Sequence, residues 1–371
     1  MKFSRIISNA GEWLSGDGPN RQIVVSSRIR LARNLARTPF PGWAKRAERM
    51  ETLALIRPAL ESLDEMHDAY AQNLTELTAL ERQVLVERHL ISREHAAKGA
   101  GSAVVMNVEQ TLSFMINEED HLRMQSIRCG LQLKEAFSAV SKCDSELSTK
   151  LDFAYHEELG YLTACPTNVG TGMRASAMLH LPGLVMSDQI NKIINSVNKI
   201  GLAVRGLHGE GTEAMGNLFQ VSNQTTLGES EEQIIDRLHD VIVHIVEHEE
   251  NARQTLIERR GTTVLDQIGR AFGILCNAHS MTSKEALNLL SVIKLGIDLG
   301  LFPDGARIMI DELFIEVQQA HLQKGAQGNK MTADARDALR ATLIRAKLKQ
   351  LPEPDVTKVP VTEATKEPND E

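Results

Sequence analysis

One segment constrains the fold more than any other, because residues 22–34 alternate apolar and polar side chains with the period of a β-strand. Successive side chains of a strand point to opposite faces, so two arginines at positions i and i+2 project from the same face, about 6.5 to 7 Å apart. Such a pair of guanidinium groups can contact adjacent phosphates. The alternation predicts one face with Val25, Ile29 and Leu31 and the other face with Ser26, Arg28 and Arg30.

Beyond this strand, the hydrophobic pattern changes from one region of the chain to the next. Residues 45–98 have helical spacing that Pro58 interrupts, and from about residue 102 short apolar runs alternate with glycine-rich turns. A capping-box pattern at Ser230 and Gln233 starts a long amphipathic helix, after which the strand signal ends. We therefore predict an α+β fold, in which helices flank a mostly antiparallel sheet, followed by a helical domain. The predicted boundaries are residues 1–255 for the sheet domain, 256–350 for the helical domain and 351–371 for a disordered acidic tail.

Composition excludes several classes of partner and location. The chain has 41 Lys and Arg residues against 49 Asp and Glu residues, and its net charge of −8 disfavours general binding to nucleic acid or to an anionic membrane. No apolar run of about 18 residues is present to span a membrane, and the first residues lack the apolar centre of a signal peptide. The four cysteines have neither zinc-site spacing nor disulfide density, so we expect a reducing, cytoplasmic location.

Five arginines stand where predicted strands meet turns. Guanidinium remains charged at any working pH and offers a planar fork of donors, so a convergent set suits a polyanionic nucleotide in phosphoryl transfer. Any one of them alone is ordinarily a solvated strand residue. The five are Arg28, Arg30, Arg123, Arg174 and Arg205.

A glycine-rich turn precedes one of these arginines. Gly170 and Gly172, followed by Ala175, form a partial dinucleotide-binding pattern, but Pro182 interrupts the helix that a Rossmann unit requires. The P-loop pattern GxxxxGK[ST] is absent from the sequence. A glycine-rich turn without a ligand is the alternative interpretation.

Carboxylates and one cysteine are the other candidates for chemistry. Glu119 lies in an acidic run beside Arg123, and Glu210 lies in a second glycine-rich turn. Two carboxylates opposed across a cleft can hold a guanidinium group, orient its nitrogen and accept its proton, whereas solvated acidic turns are the ordinary alternative. Cys165 is either a partly ionised thiol near Arg174 or a small buried residue.

The motifs SSRIRLARN, NEEDHLR, CPTNVGTGMRAS and RGxxGE occur in this order over residues 26–210, and their combination resembles the phosphagen (guanidino) kinases. The resemblance implies transfer of the γ-phosphoryl group of ATP, with Mg²⁺, to a guanidino nitrogen. It also implies that Glu119 and Glu210 hold the acceptor guanidinium and that Cys165 is the reactive cysteine of the family. The residues implied to bind ATP are Ser27, Arg28, Ile29, Arg30, Leu31, His89, Arg123, Arg174, Ala175, Ser176, Ala177, Met178, Arg205, Gly206, Leu207, His208, Gly209 and Glu210.

One departure from the family bears on the acceptor. Kinases of small guanidino compounds have a helical domain of roughly a hundred residues before the first arginine motif, whereas about twenty residues precede Val24 here. We expect a site without that cover to stay open and to admit an arginine of a protein substrate. The predicted function is a protein arginine kinase that marks proteins for Clp-type degradation in stress and quality control. The alternatives are a phosphagen kinase for a free guanidino compound and a phosphoarginine-binding adaptor with a vestigial kinase site.

The helical region carries a second motif. Residues 336–341, RDALRA, resemble the RDxxRA element that binds phosphoarginine as an allosteric signal in family members that act on proteins, although the pattern is also common on helix surfaces. The implied ligand residues are Arg336, Asp337, Arg340 and Ala341. The resemblance further implies a homodimer through the helical region, autophosphorylation, an activator protein, a heat-shock repressor and a Clp unfoldase as partners.

Overall fold

The computed structural model describes residues 3–8, 10–206, 214–326 and 331–358, and an eight-stranded antiparallel sheet lies at its centre. The strand order is β2-β3-β4-β5-β1-β8-β10-β9, and β6 and β7 form a separate hairpin. The strands are β1 (Val24–Arg33), β2 (Tyr70–Asn73), β3 (Ala103–Met106), β4 (Leu112–Ile116), β5 (Leu122–Cys129), β6 (Tyr155–His156), β7 (Gly160–Tyr161), β8 (Met173–His180), β9 (Leu202–Gly206) and β10 (Leu218–Asn223).

Helices flank this sheet and make up the region that follows it. The predicted capping box is confirmed: Ser230 Oγ accepts from the Gln233 N–H at 3.3 Å, and the Ser230 N–H donates to Gln233 Oε1 at 2.9 Å. The helices are α1 (Phe3–Ser8), α2 (Glu12–Ser15), α3 (Arg46–Glu61), α4 (Ala79–Glu87), α5 (Arg93–Ala96), α6 (Leu133–Ser148), α7 (Pro182–Met186), α8 (Ile190–Lys199), α9 (Glu231–Asn277), α10 (Ser283–Asp298), α11 (Ala306–Glu316), α12 (Gln319–Gly325) and α13 (Ala333–Leu348).

One face of the sheet packs into the main hydrophobic core. Ile29 and Leu31 of β1 are buried there against apolar residues of α3, α6, α8 and α9. The prediction that Val25 shares this face is wrong, because the register of β1 against β8 shifts between Val24 and Ser26. Val24 therefore joins the main core, and Val25 packs against a second cluster.

Apolar residues also cover parts of the other face of the sheet, including Ile127 of β5, which packs with Trp13, Leu14 and Ile315. At one end, Met106 and Met115 pack with Leu85, Leu90 and neighbouring residues around α4. At the other end, Met178 and Leu218 join the second cluster, which α9, α10, α11 and α13 supply. The middle of this face, over β5, β1 and β8, carries the polar side chains that line the candidate site. The fold class predicted from the sequence is confirmed by this arrangement.

Helix α9 crosses the predicted domain boundary at residue 255 without ending. The last α9 residue in the main core is Ala252, the first in the second cluster is Leu256, and Arg260 leaves helical geometry at φ −139° and ψ 31°. The boundary itself stays a prediction. The start of the predicted tail packs against the helices, because the Asp355 N–H donates to Leu301 O at 2.9 Å, and residues 359–371 lie outside the described residues. Within the described ranges, every helix is too short or too polar for a membrane span.

Candidate active site

The five predicted arginines line one cavity of about 880 Å³, called here the arginine cavity. Strand pairing explains their convergence. Arg30 of β1 faces Arg174 of β8 and Gln125 of β5, and Arg205 of β9 faces Gln220 of β10, so their side chains share one face of the sheet. Arg28, two residues before Arg30, and Arg123, two residues before Gln125, project from the same face.

The arginines lie too close together for their charges to be independent. Burial, followed by the charges of Arg123 and Arg174, lowers the pKa of Arg28 to about 10. Burial and neighbouring guanidinium groups also lower the pKa of Arg30 and, more modestly, that of Arg174. Within the described ranges their polar partners are few: Arg28 Nη2 donates to Gln220 Oε1 at 2.9 Å, and Arg174 Nη2 donates to Ser222 Oγ at 3.4 Å. The cavity is therefore an electropositive surface suited to a polyanion.

Arg123 differs from the others because a carboxylate holds it. Its Nη1 lies 2.9 and 2.8 Å from the two carboxylate oxygens of Glu118, which is almost fully buried. Burial alone would raise the pKa of Glu118, but the charge of Arg123 and a hydrogen bond from Ser92 lower it overall. Glu118 therefore fixes the position of Arg123 at the edge of the cavity.

The acidic run places its three carboxylates differently. Asp120 is buried, and its Oδ1 accepts from Asn34 Nδ2 and from the Ala164 N–H, both at 2.7 Å. Glu119 is exposed and lines the arginine cavity, and no described residue donates a hydrogen bond to its carboxylate. Burial and the charges of Asp120 and Glu118 raise its pKa. Glu119 is thus the acid of this run that is available to a ligand and inclined to take up a proton.

His89 lies at the edge of a second cavity of about 620 Å³, which shares Arg28, Arg30 and Arg205 with the first and is called here the adjoining cavity. The residue follows the end of α4 in a left-handed conformation, with φ 58°, and its ring packs edge-on against Trp13 at 5.7 Å. Its carbonyl oxygen accepts from Gln125 Nε2 at 2.7 Å. Apolar side chains including Val86, Ile91 and Met115 also line this cavity.

A family model for the ATP:guanido phosphotransferase C-terminal catalytic domain matches residues 51–252, more than half of the chain. The chain belongs to the ATP:guanido phosphotransferase family. A second family model, for the protein-arginine kinase McsB C-terminal domain, matches residues 261–359.

Curated relatives of this phosphotransferase align over nearly the whole chain. The protein-arginine kinase of Halothermothrix orenii is 46% identical over 343 residues, which is 92% of this chain and 98% of that protein. The protein-arginine kinase of Pelotomaculum thermopropionicum is 43% identical over 356 residues, which is 95% of this chain and 100% of that protein.

Solved structures of the family share the fold at lower identity. Lombricine kinase is 26% identical, with a TM-score of 0.55 over 65% of this chain and 70% of that one. The substrate-free duplicated taurocyamine kinase from Schistosoma mansoni is also 26% identical, with a TM-score of 0.56 over 75% of this chain and 42% of that one.

Several residues predicted to bind ATP have side chains directed away from the arginine cavity of this family member. Ser27 donates from Oγ to Gly130 O at 2.8 Å on the covered side of the sheet. Strand alternation explains the four that lie in the main core, Ile29, Leu31, Ala175 and Ala177. Ser176 lies on the arginine face opposite Arg28, Met178 is buried in the second cluster and Gly206 lines the cavity. Leu207, His208, Gly209 and Glu210 lie outside the described residues.

The glycine turn before β8 has a structural role. Gly170 and Gly172 have positive φ values of 112° and 65°, and a Cβ atom at either would lie 2.2 Å from Thr226 O or 2.6 Å from Ala32 O. Close backbone approach therefore explains both glycines without a dinucleotide. Cys165, on the segment before this turn, is partly exposed and has its Sγ 3.0 Å from Thr167 Oγ1.

The arginine cavity also contains residues that the motifs did not predict: Phe40, Trp43, Glu94, Lys98 and Gln220. The polar residue at 220 continues the alternation of β10 and could have been found from that period. Phe40 and Trp43 lie on the segment between β1 and α3, where no periodic pattern marks them.

The RDALRA segment lies on α13 with much of its polar surface engaged. Arg340 is buried; its Nε donates to Val317 O at 2.9 Å, and its Nη1 donates to Met281 O at 2.7 Å and to Asp337 Oδ1 at 2.5 Å. Arg336 is partly exposed and donates from Nη1 to Met331 O at 2.9 Å. Ala341 is buried in the second cluster.

Proposed function

We propose that this chain is a protein-arginine kinase, which transfers the γ-phosphoryl group of ATP to a guanidino nitrogen of an arginine side chain in a protein. The observation that carries the proposal is the arginine cavity, where five guanidinium groups, only one of them ion-paired within the described residues, adjoin the exposed carboxylate of Glu119. Relatives that are called protein-arginine kinases align with more than nine-tenths of the chain.

In this proposal, ATP lies with its phosphates on the arginine face. Arg28, Arg30, Arg174 and Arg205 neutralise the triphosphate, while Arg123 is fixed by Glu118. The adjoining cavity offers apolar side chains and the His89 ring to the adenosine group. Since the fixed cations are present before the reaction, they stabilise the charge of the transition state without reorganisation.

Mg²⁺ fits this donor set as an ion held mainly by the phosphates of ATP. No group of three or more metal-ligating side chains occurs among the described residues, and Mg²⁺ is commonly held by one or two carboxylates plus substrate phosphates. When bound, the ion would offset phosphate charge and orient the transferred group.

Glu119 is the proposed acceptor-binding residue and base. A guanidinium group with a pKa above about 12 is a poor nucleophile, so a carboxylate must orient it and accept a proton as bonding develops. The guanidino N–P bond forms while the bond from the γ-phosphorus to the β,γ-bridging oxygen breaks. The proton moves from nitrogen to Glu119, and ADP leaves with the electron pair. Glu210 as a second holding carboxylate and Cys165 as the reactive cysteine remain predictions.

The regulatory and cellular expectations are proposals of the same kind. The match to a McsB C-terminal domain supports phosphoarginine binding at Arg336, Asp337, Arg340 and Ala341, which would require Arg340 to exchange its present partners. Partly exposed apolar side chains such as Ile274 and Ile308 of the helical region support a homodimer. The activator, heat-shock repressor and Clp partners, the roles in stress and proteolysis, and a cytoplasmic location stay predictions.

The acceptor is tested by incubating the full chain with ATP and Mg²⁺ and with either an arginine-containing protein or free arginine. We expect acid-labile phosphate on arginine residues of the protein, detected by mass spectrometry under acid-free handling. Preferential phosphorylation of free arginine would favour the phosphagen-kinase alternative. Equal inactivity of the parent and the Glu119→Gln variant would favour the adaptor.

A further inference from the structure

Trp43 is the most exposed large apolar side chain among the described residues, at 89% of its full accessible surface, and it lines the arginine cavity together with Glu119. The other tryptophan, Trp13, is 2% exposed. An indole ring left in water is an unused source of binding energy, because aromatic side chains bury large areas and dominate interface energetics.

The segment that carries Trp43 is held in place relative to the acidic run. The Trp43 N–H and the Ala44 N–H donate to Phe40 O at 2.8 and 2.9 Å. The Phe40 ring packs edge-on against His121 with 6.1 Å between ring centres. His121, two residues after Glu119, accepts from the Leu35 N–H at Nδ1 and lies 2.9 Å from Pro39 O through Nε2. A partner that binds Trp43 therefore meets a preorganised surface.

The position of Trp43 favours contact with the acceptor over contact with the nucleotide base. Trp43, Phe40 and Glu119 line the arginine cavity, whereas His89 and Val86 line the adjoining cavity. When an arginine side chain of a substrate reaches Glu119, its neighbours in the chain are brought near this cavity, because consecutive Cα atoms are only about 3.8 Å apart.

We propose that Trp43, supported by Phe40, is a docking platform for an apolar side chain next to the target arginine, and that it selects which arginines of a substrate are phosphorylated. This inference rests on the proposed function. Glu94 complements the platform, because its exposed carboxylate lines the same cavity. Trp43 thus shares its cavity with two exposed carboxylates, Glu94 and Glu119, which matches an apolar residue beside an arginine.

The kinetic test uses two peptides that are identical except for Leu or Ser next to a single arginine. We expect the parent to prefer the Leu peptide in kcat/KM by about tenfold or more, and the Trp43→Ala variant to lose this preference, mainly through a higher KM for the Leu peptide. Trp43→Tyr should retain most of the preference. Leu55→Ala removes a 60% exposed apolar side chain of α3 and is the matched control. This variant should keep the preference for the Leu peptide. An unchanged preference in Trp43→Ala would overturn the proposal.

A binding test separates this inference from the proposed function. Because Trp13 is buried, acrylamide quenching of tryptophan fluorescence reports mainly on Trp43. The Leu peptide should shield Trp43 from acrylamide and the Ser peptide should not. Shielding without phosphorylation of either peptide would support docking while refuting the proposed function, whereas phosphorylation without shielding would refute docking alone. If ATP alone shielded Trp43 from acrylamide, Trp43 would be assigned to the nucleotide and the proposal would be overturned. If Trp43→Ala changed the oligomeric state on sedimentation and kept the peptide preference, Trp43 would be assigned to contact with a second copy, which would also overturn the proposal.

Discussion

Apart from Arg123, which pairs with Glu118, the arginines of the cavity and those between the sheet and the helical region have opposite surroundings. In the second group, called here the junction, Arg253 Nε lies 2.6 Å from Glu249 Oε1 and its Nη1 lies 2.8 Å from Asp298 Oδ2. Arg307 completes the junction at 2.5 Å from Asp298 Oδ1. In the cavity, Arg30 has no ion-pair partner within the described ranges, and its Nε is buried without a hydrogen bond there.

The difference shows that arginine serves two purposes in this protein. Each guanidinium of the junction is neutralised within the protein, so the junction joins the carbonyl of His180 on β8 and the start of α7 to α9 and α10. The cavity arginines are instead buried against one another, and this burial, followed by the charges of neighbouring guanidinium groups, lowers the pKa of Arg28, Arg30 and Arg174. Such crowding opposes folding and is relieved when a polyanion binds. Paired arginines therefore indicate structure, and crowded unpaired arginines indicate a ligand.

The largest expected effect is on stability at the junction. Arg253→Ala leaves the buried carboxylate of Glu249 without its cationic partner and Asp298 with Arg307 alone, so the free energy of unfolding should fall by about 3 to 5 kcal/mol. Urea unfolding followed by circular dichroism measures it. Lys134→Ala, which removes an exposed ion pair with Asp236, is the control and should leave the transition unchanged. If Arg253→Ala lowered the free energy of unfolding no more than Lys134→Ala does, the contrast between the junction and the cavity would be wrong.

The next effect is on catalysis at the cavity. Arg174→Ala should lower turnover by on the order of a hundredfold or more, about 3 to 4 kcal/mol, because one preorganised cation is lost from the transition state. Arg174→Lys should be intermediate, since it keeps the charge but not the planar fork. Initial rates of ADP formation at saturating ATP measure both. Near-full turnover of Arg174→Ala would refute the assigned role.

The smallest expected effect is a shift in the pH dependence of kcat/KM. In the proposed mechanism Glu119 must be ionised to act as base, so activity should fall as pH decreases through its pKa, which burial and nearby carboxylates raise above its ordinary value. Glu94→Gln removes one of those charges, lowers the pKa of Glu119 and should move the acid limb of kcat/KM to lower pH, by less than about one unit. The acid limb moving to higher pH, or staying in place, would show that Glu119 does not control it.

The sequence alone predicted the features that depend on the spacing of residues along one strand or helix. Strand alternation predicted that Arg28 and Arg30 share a face, and the capping pattern predicted the start of α9. It could not predict the shift that turns Val25 away, because that irregularity arises where β1 meets β8, about 150 residues along the chain.

Local sequence patterns could not predict the features that tertiary packing decides. Three adjacent acids at 118–120 look alike in sequence, and only Ser92, Arg123 and Asn34 decide that Glu119 remains available. Trp43 lies in an aperiodic segment, where no local pattern indicates whether its side chain is buried or exposed.

The most direct test of the distinction between crowded and paired arginines is one variant measured in two ways. In Arg30→Met, a desolvated charge is replaced by an apolar side chain, so the melting temperature without nucleotide should stay the same or rise. Its affinity for ATP, measured by calorimetry, should fall roughly ten- to a hundredfold, because charge-assisted hydrogen bonds to phosphate are lost. A lower melting temperature with unchanged ATP affinity would contradict the account and place Arg30 among the structural arginines.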